Sequence, residues 1–472
     1  MITSHHTARG TAPGFAHHRA VRGATLAIGL ALLFTAAHVH AQNSLAQLRA
    51  KVNHIVVIYQ ENWSFDALYG HFPGANGIAK ASPASLRQVD KSGKPLSVAP
   101  LPVNGRDVDP NFADIAPTLP LKPYDLLNIV SPATQTGDIV HRFYTQQLQI
   151  DGGKMDKFIA WSDNGGLVMS YFDATNYPEG KLAQEFTLCD NFFHAAFGGS
   201  FLNHMWLIAA ATPVFPNAPA GMIATPPDAA KLTEADKVVT PDGYVVNTAF
   251  SVNQPVPASV KDPATLVPNQ TLPTIGDRLS DKGISWAWYS GGWNDAMAGK
   301  PDPLFQFHHQ PFIFFSNYAD GTEAKATHLK DETDFFTALG DGTLPSVSFV
   351  KPLGPDNEHP GYASLLRGQL HVDDIVARIR ASTLWSDTVI IITYDENGGR
   401  WDHVAPPVVD RWGPGARVPT IVVSSLARKG YIDHTQYDTT SILKLIEQRW
   451  DLKPLGARDA RVASLVNALQ LQ

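Results

Sequence analysis

Two short runs of oxygen-bearing side chains, far apart in the chain, each follow a nearly continuous apolar stretch. In HIVVIYQENWSFD, Ile55 to Tyr59 lead into Gln60, Glu61 and Asn62; in TVIIITYDENGG, Thr388 to Tyr394 lead into Asp395, Glu396 and Asn397. Carboxylates with an amide oxygen suit a hard divalent cation such as Ca, Mg or Mn better than they suit a Cys/His zinc site. The carboxylates of Glu61, Asp395 and Glu396, brought together beside Asn62 without a cation, would repel until some took protons, and a bound cation removes that conflict. The competing reading is that each run is a turn whose acids cap nearby amides.

A nucleophile is offered by Gly198-Gly199-Ser200-Phe201-Leu202-Asn203-His204, followed by the apolar run Met205 to Ala211. This pattern sets Ser200 at a helix N-terminus, where free amides and the helix dipole favour an anion. It is not G-x-S-x-G, so the nucleophile elbow of acyl hydrolases is not indicated; the same serine could serve only as an N-cap. Histidines are the remaining candidates: His308 and His309 in an aromatic-rich loop, His359 after Asn357-Glu358, and His141 at the head of HRFYTQQLQIDGG. Any one alone fits a structural role. Gathered at one site, with an ordinary pKa near 6.5, they would be largely cationic in mild acid and suited to a phosphate dianion. Trp286, Trp288 and Trp293 are either core residues or the wall of a leaving-group pocket.

Chemistry spread this widely needs elements that converge. Strands as apolar as Ile55–Tyr59 and Thr388–Tyr394 are normally covered on both faces, as in a parallel sheet, and in such sheets ligands bind beyond the carboxyl ends of the strands. Further strand-like runs are Ile284–Tyr289, Ser346–Val350 and Val418–Val423. Helical periodicity covers about Val372 to Ala381 and about Thr440 to Trp450, the latter with Asp438 or Thr439 as N-cap. The alternation predicts an α/β fold, with a mainly parallel central sheet flanked by helices. Residues 212–273, rich in Pro, Ala and Asn, read as an excursion from the sheet, with a hairpin turn at Thr240-Pro241-Asp242-Gly243. Residues 42–472 are expected to form one catalytic domain.

Within the 472 residues, Arg19 and Arg22 precede the apolar run Ala24 to Ala37, and Val39-His40-Ala41 fits an A-x-A-like cleavage site. Residues 1–41 thus read as a secretory signal peptide, the alternative being an N-terminal membrane anchor; the expected location is the periplasm or outside the cell. Arg9, Arg19 and Arg22 fall within that segment, so its removal leaves 34 basic against 44 acidic side chains, a net charge of −10. That field disfavours nucleic acid and anionic membranes. Cys189 is the only cysteine, so an intrachain disulfide and a thiolate metal site are excluded.

Taken together, the motifs resemble the bacterial phosphoesterase family that contains secreted acid phosphatases and phospholipases C, itself similar in fold to alkaline phosphatase and the sulfatases. The family signature E-N-R-S-F-D reads here Glu61-Asn62-Trp63-Ser64-Phe65-Asp66, with Trp in place of Arg, and D-E-x-x-G-x-x-D-H-V matches Asp395 to Val404 throughout. Where the phospholipase branch has T-x-P-N-R, Ser200 to His204 instead resemble the G-G-S-F-L-N-H of the acid phosphatase branch. The short stretch after Trp450 is expected to carry no C-terminal β domains of the kind found in large phospholipases C.

The resemblance implies one divalent metal held by Glu61, Asn62, Asp395, Glu396 and the nucleophilic Ser200. It also implies phosphate contacts from His308, His309 and His359, with His141 and Asn203 close to the substrate. The implied activity is phosphomonoester hydrolysis through a phosphoserine. Phospholipase C action on a diester is the near alternative, and a non-catalytic exported phosphate-binding or adhesive protein is the alternative of another class. Sulfatase chemistry would need C/S-x-P-x-R, absent around Ser200. The expected partners are small phosphate esters or phospholipid, with no nucleic acid and no integral membrane segment.

Overall fold

The computed structural model describes residues 42–104, 107–115, 118–225 and 236–471; the signal-peptide reading falls on residues 1–41, outside them. Eight strands form the central sheet: β1 (His54–Gln60), β2 (Thr187–Cys189), β3 (Trp286–Ser290), β4 (Leu329–Asp331), β5 (Val347–Lys351), β6 (Thr388–Tyr394), β7 (Thr420–Val423) and β8 (Tyr431–Asp433). Six helices matter for the site: α1 (Phe65–Tyr69), α2 (Phe143–Ile150), α3 (Pro178–Glu185), α4 (Ser200–Ala209), α5 (Leu365–Ala381) and α6 (Thr440–Trp450).

The strand order is β8-β2-β7-β6-β1-β5-β3-β4, and only β7 runs antiparallel to its neighbours. The sheet is therefore mainly parallel, as its apolar strands predict. β1 lies at the centre between β5 and β6, with Gln60 opposite Tyr394 and Ile58 opposite Val350. In parallel strands that register puts the next residues, Glu61 and Asp395, side by side at one rim. Lys351, the last residue of β5, belongs to the same rim.

Side-chain alternation then divides the chemistry between two faces. Tyr59 points to the face covered by α4 and α6, where its hydroxyl donates to the Asn203 carbonyl at 3.3 Å. Gln60 and Tyr394 point to the opposite face, covered by α3 and α5.

The helix expected near Val372 starts at Leu365 instead. Its buried stripe is Leu365, Gly368, Gln369, Val372, Ile375, Val376 and Ile379; the spacing is helical throughout, but Gly and Gln interrupt the apolar signal. β2, β4 and β8 have three residues each, too few for a recognisable alternation. The turn at Thr240–Gly243 forms, with Thr240 N–H donating to Tyr244 O at 2.7 Å, and a single bridge joins Val239 to Val245. Trp288 is fully buried and stacks on Phe349 at 5.4 Å, with Trp286 buried beside it; both are core residues. Cys189 is a buried free thiol whose pKa burial pushes up. Among the described residues, no helix is long and apolar enough to cross a membrane.

Candidate active site

The chain leaves β1 through Asn62, whose left-handed backbone (φ 70°) turns it sharply at the rim; Asn tolerates that region better than most residues. The loop after β6 turns beside it. A buried brace fixes the two loops to one another. Ser64 Oγ donates to Trp401 O at 2.8 Å, Asp66 N–H donates to Asp402 Oδ2 at 3.2 Å, and His403 Nδ1 lies 2.6 Å from Asp66 Oδ2. Arg417, itself buried, donates to Asp402 Oδ1 at 2.9 Å and to Asp66 Oδ1 at 3.0 Å. Asp402 and His403, conspicuous in the sequence, thus fasten the loops that carry Glu61 and Asp395.

Ser200 is the first residue of α4. Gly198 is required there: its φ is +88°, and a Cβ would come within 2.6 Å of Phe143 N. Gly199 is the N-cap residue and Ser200 makes no capping bond. The N-cap reading of Ser200 is therefore corrected: its hydroxyl instead donates to Glu61 Oε2 at 3.0 Å.

Several buried oxygens at this rim have no hydrogen-bond partner among the described residues: Asn62 Oδ1, Asp395 Oδ2 and Glu396 Oε1. Buried acceptors are normally satisfied, so these point to a group the protein itself does not supply. Burial holds the Asp395 carboxyl well above its ordinary range, with the Glu61 charge adding to it, and burial does the same to Glu396. Burial would also raise Glu61, but His309 and Lys351 reverse this and hold it low. The donor set Glu61, Asn62, Asp395, Glu396 and Ser200 fits a hard divalent cation on these grounds. Glu61, His204 and His309 also offer ligand atoms within 4.8 Å of one another, so the rim can hold metal through nitrogen as well as oxygen.

Histidines surround the nucleophile in two groups. His308 and His309 (rings 4.6 Å apart) sit with His204, which stacks on His309 at 5.0 Å. His309 Nε2 is 3.0 Å from Glu61 Oε1, and its backbone carbonyl accepts from the Trp288 indole at 2.9 Å. His141 and His359 form the second group, with rings 5.8 Å apart; His141 Nε2 lies 3.7 Å from Glu396 Oε1. The expectation that the histidines are cationic in mild acid is corrected. Burial lowers the pKa of His308, His309 and His359, with His309 brought to about 4, because an imidazolium loses its hydration there. A bound phosphate dianion would favour their protonation.

Asn203 lies elsewhere than expected. Its Oδ1 accepts from Ala196 N–H at 2.9 Å, and its Nδ2 donates to Ala196 O at 3.0 Å and Gly199 O at 3.2 Å. The amide is committed to the loop beneath Ser200.

Two residues escape the sequence reading. Lys351, fully buried, places Nζ in hydrogen-bond contact with Glu61 Oε1. The available signal was an apolar strand ending in a charge, as β1 and β6 end. His204 sits one turn after Ser200 and its Nδ1 bonds the Ser200 carbonyl at 2.7 Å; the i, i+4 spacing was legible.

A cavity of about 550 Å³ opens beside Gly199 and His141, with Arg142, Asp138, Asp163 and Lys237 among its walls. Part of that wall comes from the 212–273 excursion. Asp236 Oδ2 accepts from the Tyr144 and Thr145 N–H groups at 3.1 and 2.8 Å, and Asn247 Oδ1 from Phe143 N–H at 3.0 Å, capping α2 directly after His141.

The chain belongs to the Phosphoesterase family, whose model matches residues 52–453. It is similar to the non-hemolytic phospholipase C of Burkholderia pseudomallei, at 25% identity over 85% of this chain and 55% of that protein. Phospholipase C A of Mycobacterium tuberculosis is 25% identical over 84% of this chain and 73% of its own length. Non-specific phospholipase C3 of Arabidopsis thaliana is 22% identical over 87% and 72%. This chain thus spans about half of the first relative's length. A solved protein in the alkaline phosphatase superfamily from Vibrio parahaemolyticus aligns over 89% of this chain and 78% of its own, at 10% identity and TM-score 0.37.

Proposed function

We propose that the protein is an exported, metal-dependent phosphomonoesterase of the acid phosphatase type, acting through a phosphoserine at Ser200. The observation that carries this reading is the 3.0 Å contact from Ser200 Oγ to Glu61, at a helix N-terminus ringed by unpartnered acceptors. A divalent cation held by Glu61, Asn62, Asp395 and Glu396 would lower the hydroxyl pKa and stabilise charge on the phosphoryl oxygens.

The chain's own groups do the rest. Ser200 Oγ bonds to phosphorus as the bond from phosphorus to the alcohol oxygen breaks, and its proton is directed at Glu61 Oε2. Lys351 and the histidines supply N–H donors to the non-bridging oxygens, where preorganised donors act most strongly. The leaving oxygen takes a proton from the imidazolium of His359 or His308, the form that the bound dianion favours. His359 is oriented for this, because its Nδ1 bonds the Pro360 carbonyl and Nε2 is left for substrate. Water then cleaves the phosphoserine, releasing phosphate.

The density of nitrogen donors favours a dianionic monoester, and the charged walls of the cavity favour a polar alcohol. Phospholipase C activity is the second reading, supported by the names of the relatives. Release of phosphate from an aryl monoester, compared with release of phosphocholine from lecithin by the same metal-loaded protein, separates the two. Turnover of lecithin alone would overturn the monoesterase reading, and turnover of neither would favour a binding protein.

A further inference from the structure

Beneath the rim, on the face opposite Ser200, a second group of buried acids is untouched by the mechanism above. Tyr394 Oη lies 2.6 Å from Glu358 Oε2 and 3.1 Å from Glu179 Oε2. A phenol has one proton, so it can donate to one carboxylate only; the other contact is a hydrogen bond only if that carboxyl carries a proton itself. Gln60 Nε2 donates to Glu358 Oε1 at 3.0 Å. Glu179 Oε1, Tyr69 Oη and Gln369 Nε2 are buried without partners, although Gln369 Oε1 receives the Glu179 N–H at 3.4 Å.

The groups facing the two acids are Tyr394 from β6, Gln60 from β1, Tyr69 from α1 and Gln369 from α5, with Asp373 one turn further along α5. No lysine, arginine or histidine of the described residues bonds either carboxylate. Burial pushes Glu358 up to about 7 and Glu179 well above the ordinary range, where the Glu358 charge also acts.

Glu358 immediately precedes His359. Its backbone is left-handed (φ 73°), its carbonyl accepts from the Trp63 indole at 3.1 Å, and a Cβ on Gly368 would come within 2.2 Å of its Cγ. Asn357, on the other side, accepts from Glu61 N–H at 2.9 Å and, through Oδ1, from His359 N–H at 3.0 Å. The Glu358 side chain therefore anchors the turn that presents His359.

We propose that Glu179 and Glu358 share one proton and, as a singly charged pair, position His359 for the reaction from the far side of the sheet. Loss of the shared proton puts two negative charges into an apolar pocket. Their repulsion lifts Glu358 from Tyr394 and displaces His359, so activity falls on the alkaline side. The proposal rests on the reading of His359 as a reacting-site residue; Glu179 and Glu358 are positioning residues.

The test compares wild type with Glu179→Gln, which keeps hydrogen bonding but cannot gain the second charge. On an aryl monoester, wild-type kcat is expected to fall on the alkaline side above about 7, where Glu358 is already ionised and the proton lost is the shared one. In Glu179→Gln that limb moves up by more than about one pH unit, with turnover near pH 5.5 within about threefold of wild type. An unmoved limb overturns the proposal. A second readout needs no substrate. A carboxyl raised in the fold, as Glu179 is, stabilises at low pH, and its contribution is lost as pH climbs above about 4.5 toward its raised folded value. The Tm of wild type minus that of Glu179→Gln should therefore decline across that window, and a difference constant with pH overturns the pair. A declining difference without turnover of any phosphoester leaves the pair standing and sinks the enzymatic reading instead. Glu358→Gln carries the same expectations should Glu179→Gln fail to fold.

Discussion

Ser200 Oγ meets Glu61 Oε2 at 3.0 Å, across a separation of 139 positions in the chain. The hydroxyl comes from a helix N-terminus and the carboxylate from the end of a central strand, so the contact exists only when α4 packs on the sheet. It places the candidate nucleophile within one hydrogen bond of a candidate metal ligand.

Removal of the Ser200 hydroxyl should therefore abolish chemistry without unsettling the fold. Ser200→Ala is expected to lose on the order of 10⁴-fold in kcat, and Tm should shift little, since the hydroxyl caps no helix amide. Labelled phosphate trapped on wild type by acid quench should be absent from the variant. Retained turnover in Ser200→Ala would disprove a phosphoserine route.

Metal binding has a readout in stability as well as rate. Protein stripped with a chelator should gain Tm on addition of a divalent cation, by the mass-action stabilisation that any native-state ligand confers. Asp395→Asn, which halves the charge of the paired acids, should blunt that gain. Equal gains in both proteins would place the cation elsewhere.

Lys351 and Glu61 are both fully buried and joined. Lys351→Met leaves a carboxylate in the interior without its cation, a change that costs about 3–5 kcal/mol in comparable buried pairs. Urea unfolding measures the loss. Saturating divalent metal should recover part of it, because the cation replaces the missing positive charge beside Glu61. Full stability in the metal-free variant would show that the pair is unimportant to the fold.

Acid should weaken the fold through His194. Its ring bonds Gln146 Nε2 at 2.8 Å and contacts Asn203 Oδ1 at 3.4 Å beneath the nucleophile loop, and burial brings its pKa down to about 4 from an ordinary 6.5. A histidine held neutral by the fold contributes stability above its unfolded pKa, and that contribution is lost as pH falls from about 6.5 toward about 4. Replacing His194 with Gln should flatten Tm against pH in that window. An unchanged slope would assign the acid sensitivity to other groups.

Much of this arrangement was legible before any coordinates. The apolar runs Ile55–Tyr59 and Thr388–Tyr394 announce buried parallel strands, because only a strand covered on both faces tolerates so few polar residues. Their terminal acids then had to share a rim, and β1 beside β6 with Gln60 opposite Tyr394 places them there. Gly198-Gly199-Ser200 likewise fixes a helix start, since the approach of Phe143 N to Gly198 leaves no room for a side chain.

Other features depend on distances that no pattern encodes. The charge state of His308, His309 and His359 follows from burial, which residue identity does not reveal, and Asn203 could be assigned to the loop rather than to substrate only from its bonds to Ala196 and Gly199. The Glu179–Glu358 pair joins residues from α3 and the turn after β5, with Tyr394 of β6 between them. Local sequence decided which segments become strands, which residue opens α4 and which acids end the strands, because those choices rest on propensity and periodicity over a few residues. Tertiary packing alone decided that Lys351 touches Glu61 and that two acids meet under His359. Those contacts arise from strand order and sheet-face alternation, which belong to the whole chain.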